Sequence, residues 1–139
     1  MKGMLQETRE TQPSKTDEST AIELGKLLSV HNGGAVVVMD MRQLNFWTDF
    51  FVIATVTSSI HLTGLNRHIK EYVRDNNLEI LRRSRKPDME DEWSLLDLGN
   101  IVIHLMTSRA RSFFELERLW SSAPLIYKDE SFSKTGETL

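Results

Sequence analysis

The sequence predicts an α/β domain: a mixed β-sheet flanked by helices. Three observations carry this reading. Two apolar, β-branched runs, AVVVMDM and TDFFVIATVT, have strand length and little polar alternation, as expected of strands buried on both faces. A third stretch, WSLLDLGNIVIH, alternates, turns at Gly99-Asn100 and alternates again, which reads as a hairpin. Segments with helical spacing lie between the strands, so both element types mix within one chain of 139 residues, a length that fits one domain.

Each element follows in order. Residues 1–17 are polar and read as a disordered tail. A helix is expected from about Asp17 to Val30, with Ile22, Leu24, Leu27 and Leu28 as an imperfect stripe and His31-Asn32-Gly33-Gly34 as its stop. The two apolar strands come next, and Thr57-Ser58-Ser59 supply cap residues for a second helix, about Ile60 to Asn76. In it Leu62, Leu65, Ile69, Tyr72 and Val73 recur at helical spacing. LEIL is a short strand candidate, and RRSRKPDMEDE a solvated loop with basic and acidic blocks. The hairpin spans Trp93 to Met106. Thr107-Ser108 cap a third helix, about Arg109 to Leu119, and LIY is a last strand. The domain therefore runs over residues 18–127, and residues 128–139 read as a flexible tail.

Bulk chemistry narrows the function. The net charge is −3 and the pI about 5.8, so the large basic excess of a phosphate-driven nucleic-acid binder is absent, although a local basic patch is compatible with it. No sequence-specific nucleic acid is expected as partner. The absence of cysteine excludes disulfides, thiolate zinc sites and cysteine nucleophiles. No run of about 18 apolar residues is present, and the N-terminus has no secretory h-region. A cytoplasmic protein with no membrane partner and no cofactor is expected.

With Gly99-Asn100 as the turn, Trp93 faces Met106, Leu95 faces His104 and Asp97 faces Val102. Alternation then gathers Trp93, Leu95, Asp97, Val102, His104 and Met106 on one face. Asp97 becomes a diagonal neighbour of His104, within hydrogen-bond reach. A satisfied buried pair is the plain reading. A docking surface with an indole and an acid at its rim is the functional one.

Catalytic patterns find little support in the same residues. GGAVVVMDM resembles the start of a nucleotidyltransferase site, a Gly-rich loop and a strand ending in an acid. Two residues after Asp40, however, stands Arg42 rather than a second carboxylate, and one acid beside an arginine does not hold two divalent ions. His61 and His68 lie two helical turns apart, too far for one metal. No metal site is expected. A divergent enzyme using Asp40 or Asp49 with one metal remains the alternative.

Three stretches together resemble the ribosomal silencing factor family, also called the Iojap family: Thr48-Asp49-Phe50-Phe51-Val52-Ile53 running on to Ser58-Ser59, Trp93 through His104, and Phe114 through Trp120 followed by Ser121-Ser122-Ala123-Pro124. The match covers about Ala21 to Pro124. Departures are Asp91-Glu92 before the Trp, where the family often has Gly nearby, Phe114 in place of Tyr, and Ile60-His61 at the start of the second helix. The resemblance implies a nucleotidyltransferase-like fold without catalysis. It implies binding to the large ribosomal subunit through its protein number fourteen, a block on joining to the small subunit, lowered translation when nutrients are scarce, and homodimers. By resemblance the contact falls on Trp93, Leu95, Asp97, His104, Glu117, Leu119 and Trp120, with Trp93 as anchor and Asp97 and Glu117 supplying charge to a basic partner. His104 would contact the partner or simply orient Asp97.

Overall fold

The computed structural model describes residues 16–44, 46–85 and 92–129. Most of both expected tails, and residues 86–91 of the expected charged loop, lie outside the described residues. The elements are α1 (Asp17–Val30), β1 (Gly34–Asp40), a 3₁₀ turn (Arg42–Leu44), β2 (Phe50–Val56), α2 (Ser59–Asp75), β3 (Arg82–Arg85), β4 (Trp93–Asp97), β5 (Ile101–Thr107), α3 (Ser108–Phe114), α4 (Leu116–Leu119) and β6 (Leu125–Lys128). They form one six-stranded sheet in the order β3-β4-β5-β2-β1-β6. The β2–β5 pair is parallel and the others are antiparallel, so the expected mixed sheet is present.

Helix ends follow from local chemistry. The hydroxyls of Thr16, Ser58 and Thr107 accept from the N–H groups of Ser19, His61 and Ala110 and cap α1, α2 and α3. Both long helices stop on an asparagine in the left-handed region, Asn32 at φ 70° and Asn77 at φ 57°. In each case the next N–H reaches back: Gly33 N–H to Leu28 O at 2.7 Å, and Leu78 N–H to Val73 O at 2.9 Å. Asparagine tolerates this backbone because its short polar side chain bonds locally.

Two elements differ from expectation. LEIL is not a strand. The reversal at Asn77 occupies Leu78, and pairing begins only when Leu81 N–H meets Asp97 O at 2.7 Å. The strand is Arg82–Arg85, read from sequence as loop, and it holds its place by backbone pairing to β4. Arginines on a sheet edge also discourage further pairing. The third helix is broken at Glu115, whose φ of 48° and ψ of 54° end α3 and turn the chain into α4.

The sheet is covered on both faces. Ala21, Leu24 and Leu28 of α1 and Leu62, Leu65, Ile69 and Val73 of α2 pack on Val36, Val38, Phe50, Val52, Ile103 and Leu105. On the opposite face Val37, Met39, Phe51, Ile53, Val102 and Met106 pack with Ala110, Leu116 and Ala123. This explains why β2 is buried along its whole length. Contact between α1 and the sheet is closest at Gly25, where an added Cβ would sit 2.8 Å from Val38 Cγ2 and 3.1 Å from Tyr127 Cδ2. Alanine gains roughly 1 kcal/mol in helix propensity over glycine, whereas overpacking costs about 1–3 kcal/mol. Gly25→Ala should therefore cost on the order of 1 kcal/mol of stability, read as a lower urea midpoint at unchanged m-value. A variant as stable as the parent would mean that α1 can move off the sheet.

Candidate partner-binding face

The hairpin register is the expected one: Trp93↔Met106, Leu95↔His104 and Asp97↔Val102. Trp93, Leu95, Val102 and Met106 pack on the face away from α1 and α2, and alternation puts Asp97 and His104 with them. The expected Asp97–His104 hydrogen bond is not made. Asp97 Oδ2 accepts from Arg82 Nε at 3.2 Å and Nη2 at 3.0 Å, and Oδ1 accepts from Gly99 N–H at 2.8 Å. Arg82 sits directly opposite Asp97 in the β3–β4 ladder. A guanidinium on a direct neighbour outcompetes a neutral imidazole on a diagonal. Asp97 is buried beneath Arg82, whose side chain is 73% exposed against 5% for the acid.

His104 instead pairs with Trp93, whose indole Nε1 donates to Nδ1 at 3.2 Å. The imidazole is buried and meets the Phe51 ring edge-on, centroids 4.6 Å apart. Burial pushes its pKa down to about 3, so it is neutral at physiological pH. With Nδ1 accepting, the proton sits on Nε2, a buried atom with no hydrogen-bond partner among the described residues.

The short α3–α4 elbow closes this face. Its hub is Arg111: Nη1 donates to Thr55 Oγ1 at 2.8 Å and to Gly34 O at 3.3 Å, while Nη2 and Nε donate to Glu117 Oε2 at 2.6 and 3.2 Å. Glu117, expected to offer free charge, is thus already paired. Above the sheet lies an aromatic layer. Phe114 and Trp93 are 4.5 Å apart, and Trp120 packs on Phe46 at 5.2 Å and on Phe51 at 5.3 Å.

Two apolar side chains of the elbow face solvent, Phe113 at 77% and Leu119 at 66% exposure. With Phe114, Glu115 and Arg118 they line a shallow hollow of about 420 Å³. A second groove, about 530 Å³, is lined by Leu95, Trp47, Arg82 and Arg83. Of the residues expected at a contact, Leu119 is exposed, Trp93, Leu95, Glu117 and Trp120 are half-buried, and Asp97 and His104 are buried. Phe113 was missed by sequence reasoning. Its signal was there: adjacent aromatics on one helix point about 100° apart, so Phe113 and Phe114 cannot both face the core.

The acid of the alternative reading is bound up locally. Asp40 Oδ1 accepts from Arg42 N–H at 3.0 Å and Nε at 2.9 Å, and Oδ2 from Arg42 Nη2 at 2.7 Å. These bonds hold its carboxyl below the usual range despite some desolvation. Asp49 engages through its backbone, with N–H to Asn100 O and its own O accepting from Met41 N–H. His61 Nδ1 accepts from Thr57 N–H, and its Nε2 lies 3.2 Å from His31 O, while His68 stacks on His31. Among the described residues no three His, Asp or Glu side chains converge as metal ligands would.

Comparison with known proteins adds a likeness. A family model described as "Ribosomal silencing factor during starvation" matches residues 13–138. A ribosomal silencing factor of Treponema pallidum is 38% identical over 85 residues, 61% of this chain and 75% of its own. The protein of Mus musculus called mitochondrial assembly of ribosomal large subunit protein 1 is 30% identical over 122 residues; the match spans 84% of this chain but only 50% of that relative. A crystal structure from Chromobacterium violaceum superimposes with a TM-score of 0.67 at 20% identity, covering 76% of this chain and 88% of that one, and so shares the fold.

The buried imidazole makes stability depend on pH. Its folded pKa, about 3, is below the ordinary 6.5. Between these values the unfolded chain binds the extra proton, so the contribution is complete above pH 6.5 and is lost as pH falls towards 3. The slope is at most about 1.4 kcal/mol per pH unit. His104→Gln keeps an acceptor for Trp93 and should flatten the fall in thermal stability between pH 6.5 and 5. An equally steep fall in the variant would assign it to other groups.

Proposed function

Since this chain belongs to the ribosomal silencing factor family, we propose that it binds the large ribosomal subunit through that subunit's protein number fourteen. Bound there, it blocks association with the small subunit and represses translation under nutrient limitation, in the cytoplasm. A relative named for assembly of the ribosomal large subunit supports the choice of subunit. The observation that carries the choice of surface is the pairing of exposed Phe113 and Leu119 on a rigid aromatic layer. Monomers rarely spend exposed aromatic and leucine side chains on one short elbow without a partner. Trp93, Leu95 and Trp120 form the half-buried floor of this contact. Asp97, His104 and Glu117 serve it indirectly, by fixing β3, Trp93 and the elbow. The affinity is therefore apolar at its centre, with Arg82, Arg118 and Glu115 on the rim.

A family of silencing factors is not an enzyme class, and the Asp40–Arg42 clasp opposes metal binding at Asp40, the first of the two acids that invited an enzymatic reading. Asp40→Ala should leave inhibition of subunit joining unchanged once folding is verified by circular dichroism; its loss in a folded variant would restore the enzymatic alternative.

Co-sedimentation with isolated large subunits tests the docking face. Leu119→Asp leaves the core untouched, because the side chain faces solvent, and should cost on the order of 2 kcal/mol of binding, about thirtyfold in affinity. The melting temperature should stay at the parent value. Undiminished sedimentation of both Leu119→Asp and Phe113→Ala would remove the elbow from the interface, and parent protein that sediments only with small subunits would overturn the proposal as a whole.

A further inference from the structure

On the opposite side of the sheet, α2 does not reach the edge strands, and a cleft of about 200 Å³ opens between them. Thr63, Asn66, Arg67 and Lys70 of α2 line one wall, and Arg83, Ser94 and Leu96 of β3 and β4 the other. Arg67 and Lys70 lie one helical turn apart, and Arg83 stands directly across from Leu96 in the ladder. Neither Arg67, Lys70 nor Arg83 makes an ion pair among the described residues, whereas the helix's own Glu71 lies 3.7 Å from His68. Three cations thus converge with no ion-pair partner among the described residues, in a protein of net charge −3. Like charges so placed repel, and the fold gains nothing from gathering them.

A second observation points the same way. Asn66 is 8% exposed, and its Oδ1 is buried with no hydrogen-bond partner among the described residues. A buried amide left half-satisfied costs about 1–3 kcal/mol and calls for a reason. The terminal amide torsion is soft, so half a turn presents this acceptor to the cleft. Ser94, likewise buried, adds a hydroxyl.

We propose that this cleft holds one ribose-phosphate unit of an RNA strand, the phosphate on Arg67, Lys70 and Arg83 and the ribose 2′-hydroxyl donating to Asn66. The volume decides for a unit of a polymer over a complete cofactor, since enclosed small-molecule sites start at roughly 300 Å³. The pairing of cations with an acceptor favours a ribose-phosphate over a phosphodiester group alone, because a diester phosphate has no proton to offer an amide oxygen while the 2′-hydroxyl does. The contact reads backbone, not base sequence. It lies on the sheet face opposite the aromatic layer, so it adds a second attachment to the one proposed above and does not rest on it.

The test uses the full chain and no ribosomal protein. Binding of a short mixed-sequence single-stranded RNA is titrated by fluorescence anisotropy at several salt concentrations, beside DNA of the same sequence, a nucleoside monophosphate and inorganic phosphate. RNA should bind more tightly than DNA, and the two small anions should compete only at high concentration. The double variant Arg67→Ala/Lys70→Ala should bind RNA about tenfold more weakly. Its log–log salt slope should be shallower by at most roughly 0.7, the value for one single-strand phosphate, because the cleft's one phosphate loses two of its three cations. Asn66→Leu should keep or raise the melting temperature and abolish the preference for RNA over DNA. Equal affinity for RNA and DNA in the parent, tight saturation by the monophosphate alone, or a destabilised Asn66→Leu would each overturn the proposal. A chain that binds RNA in this way but ignores large subunits would defeat only the docking proposal. Failure to bind RNA in a chain that sediments with large subunits would defeat only this one.

Discussion

The Arg111 guanidinium links the β1–β2 edge of the sheet to the short elbow that covers it. One arm ties the start of β1, through Gly34 O, and the hydroxyl of Thr55 in β2; the other grips Glu117 of α4. The sheet is apolar on both faces, so it needs two covers. One is made of two long helices, and the other of only two short ones. A four-residue helix has no stability of its own. It stays in place because a nearly buried cation anchors it, and because Leu116 is driven into the core beneath it. The left-handed backbone at Glu115 belongs to the same arrangement. Without that turn Glu117 would not come round to Arg111, and the strain of a non-glycine residue there is offset by the pairing it permits.

Much of this was legible in the sequence, for reasons that differ by element. The hairpin register could be read because a two-residue Gly-Asn turn admits one pairing, and alternation then assigns every side chain. The starts of α2 and α3 and the stop of α1 could be read because Ser58, Thr107 and Asn32 act through their own backbone neighbours. What could not be read depends on distant partners. β3 carries arginines and lacks a strand pattern, so only its ladder with β4 reveals it. That omission hid Arg82 from view and left Asp97 free to be assigned to His104. The break at Glu115 was invisible for the same reason, since it goes with a contact between Arg111 and Glu117 that local sequence does not announce.

These corrections alter the character of the candidate face. Two acids expected to meet a basic partner already carry arginine partners, one nearly buried and the other half-buried. What remains outward is apolar and aromatic, with charge of both signs at the edge. Three pairings build it: Arg82 neutralises Asp97 under the sheet edge, Trp93 partners one nitrogen of the buried His104, and Arg111 fixes the elbow. Each polar pair spares a buried group the cost of standing alone, and together they make a firm platform for Phe113 and Leu119.

The placement of the indoles has an experimental consequence. The chain's three tryptophans, Trp47, Trp93 and Trp120, are all associated with the same side of the sheet. They also sample three environments: Trp47 is more than half exposed with Arg82 over its ring, Trp93 is tethered to His104, and Trp120 is wedged between Phe46 and Phe51. No indole lies among the α1 and α2 side chains. Tryptophan emission from this protein, excited where Tyr72 and Tyr127 do not absorb, is therefore a spatially selective signal. Changes in wavelength or quenching come from the aromatic side and its rim, while events in the helical layer pass unseen, so the molecule arrives already labelled for spectroscopy of one face.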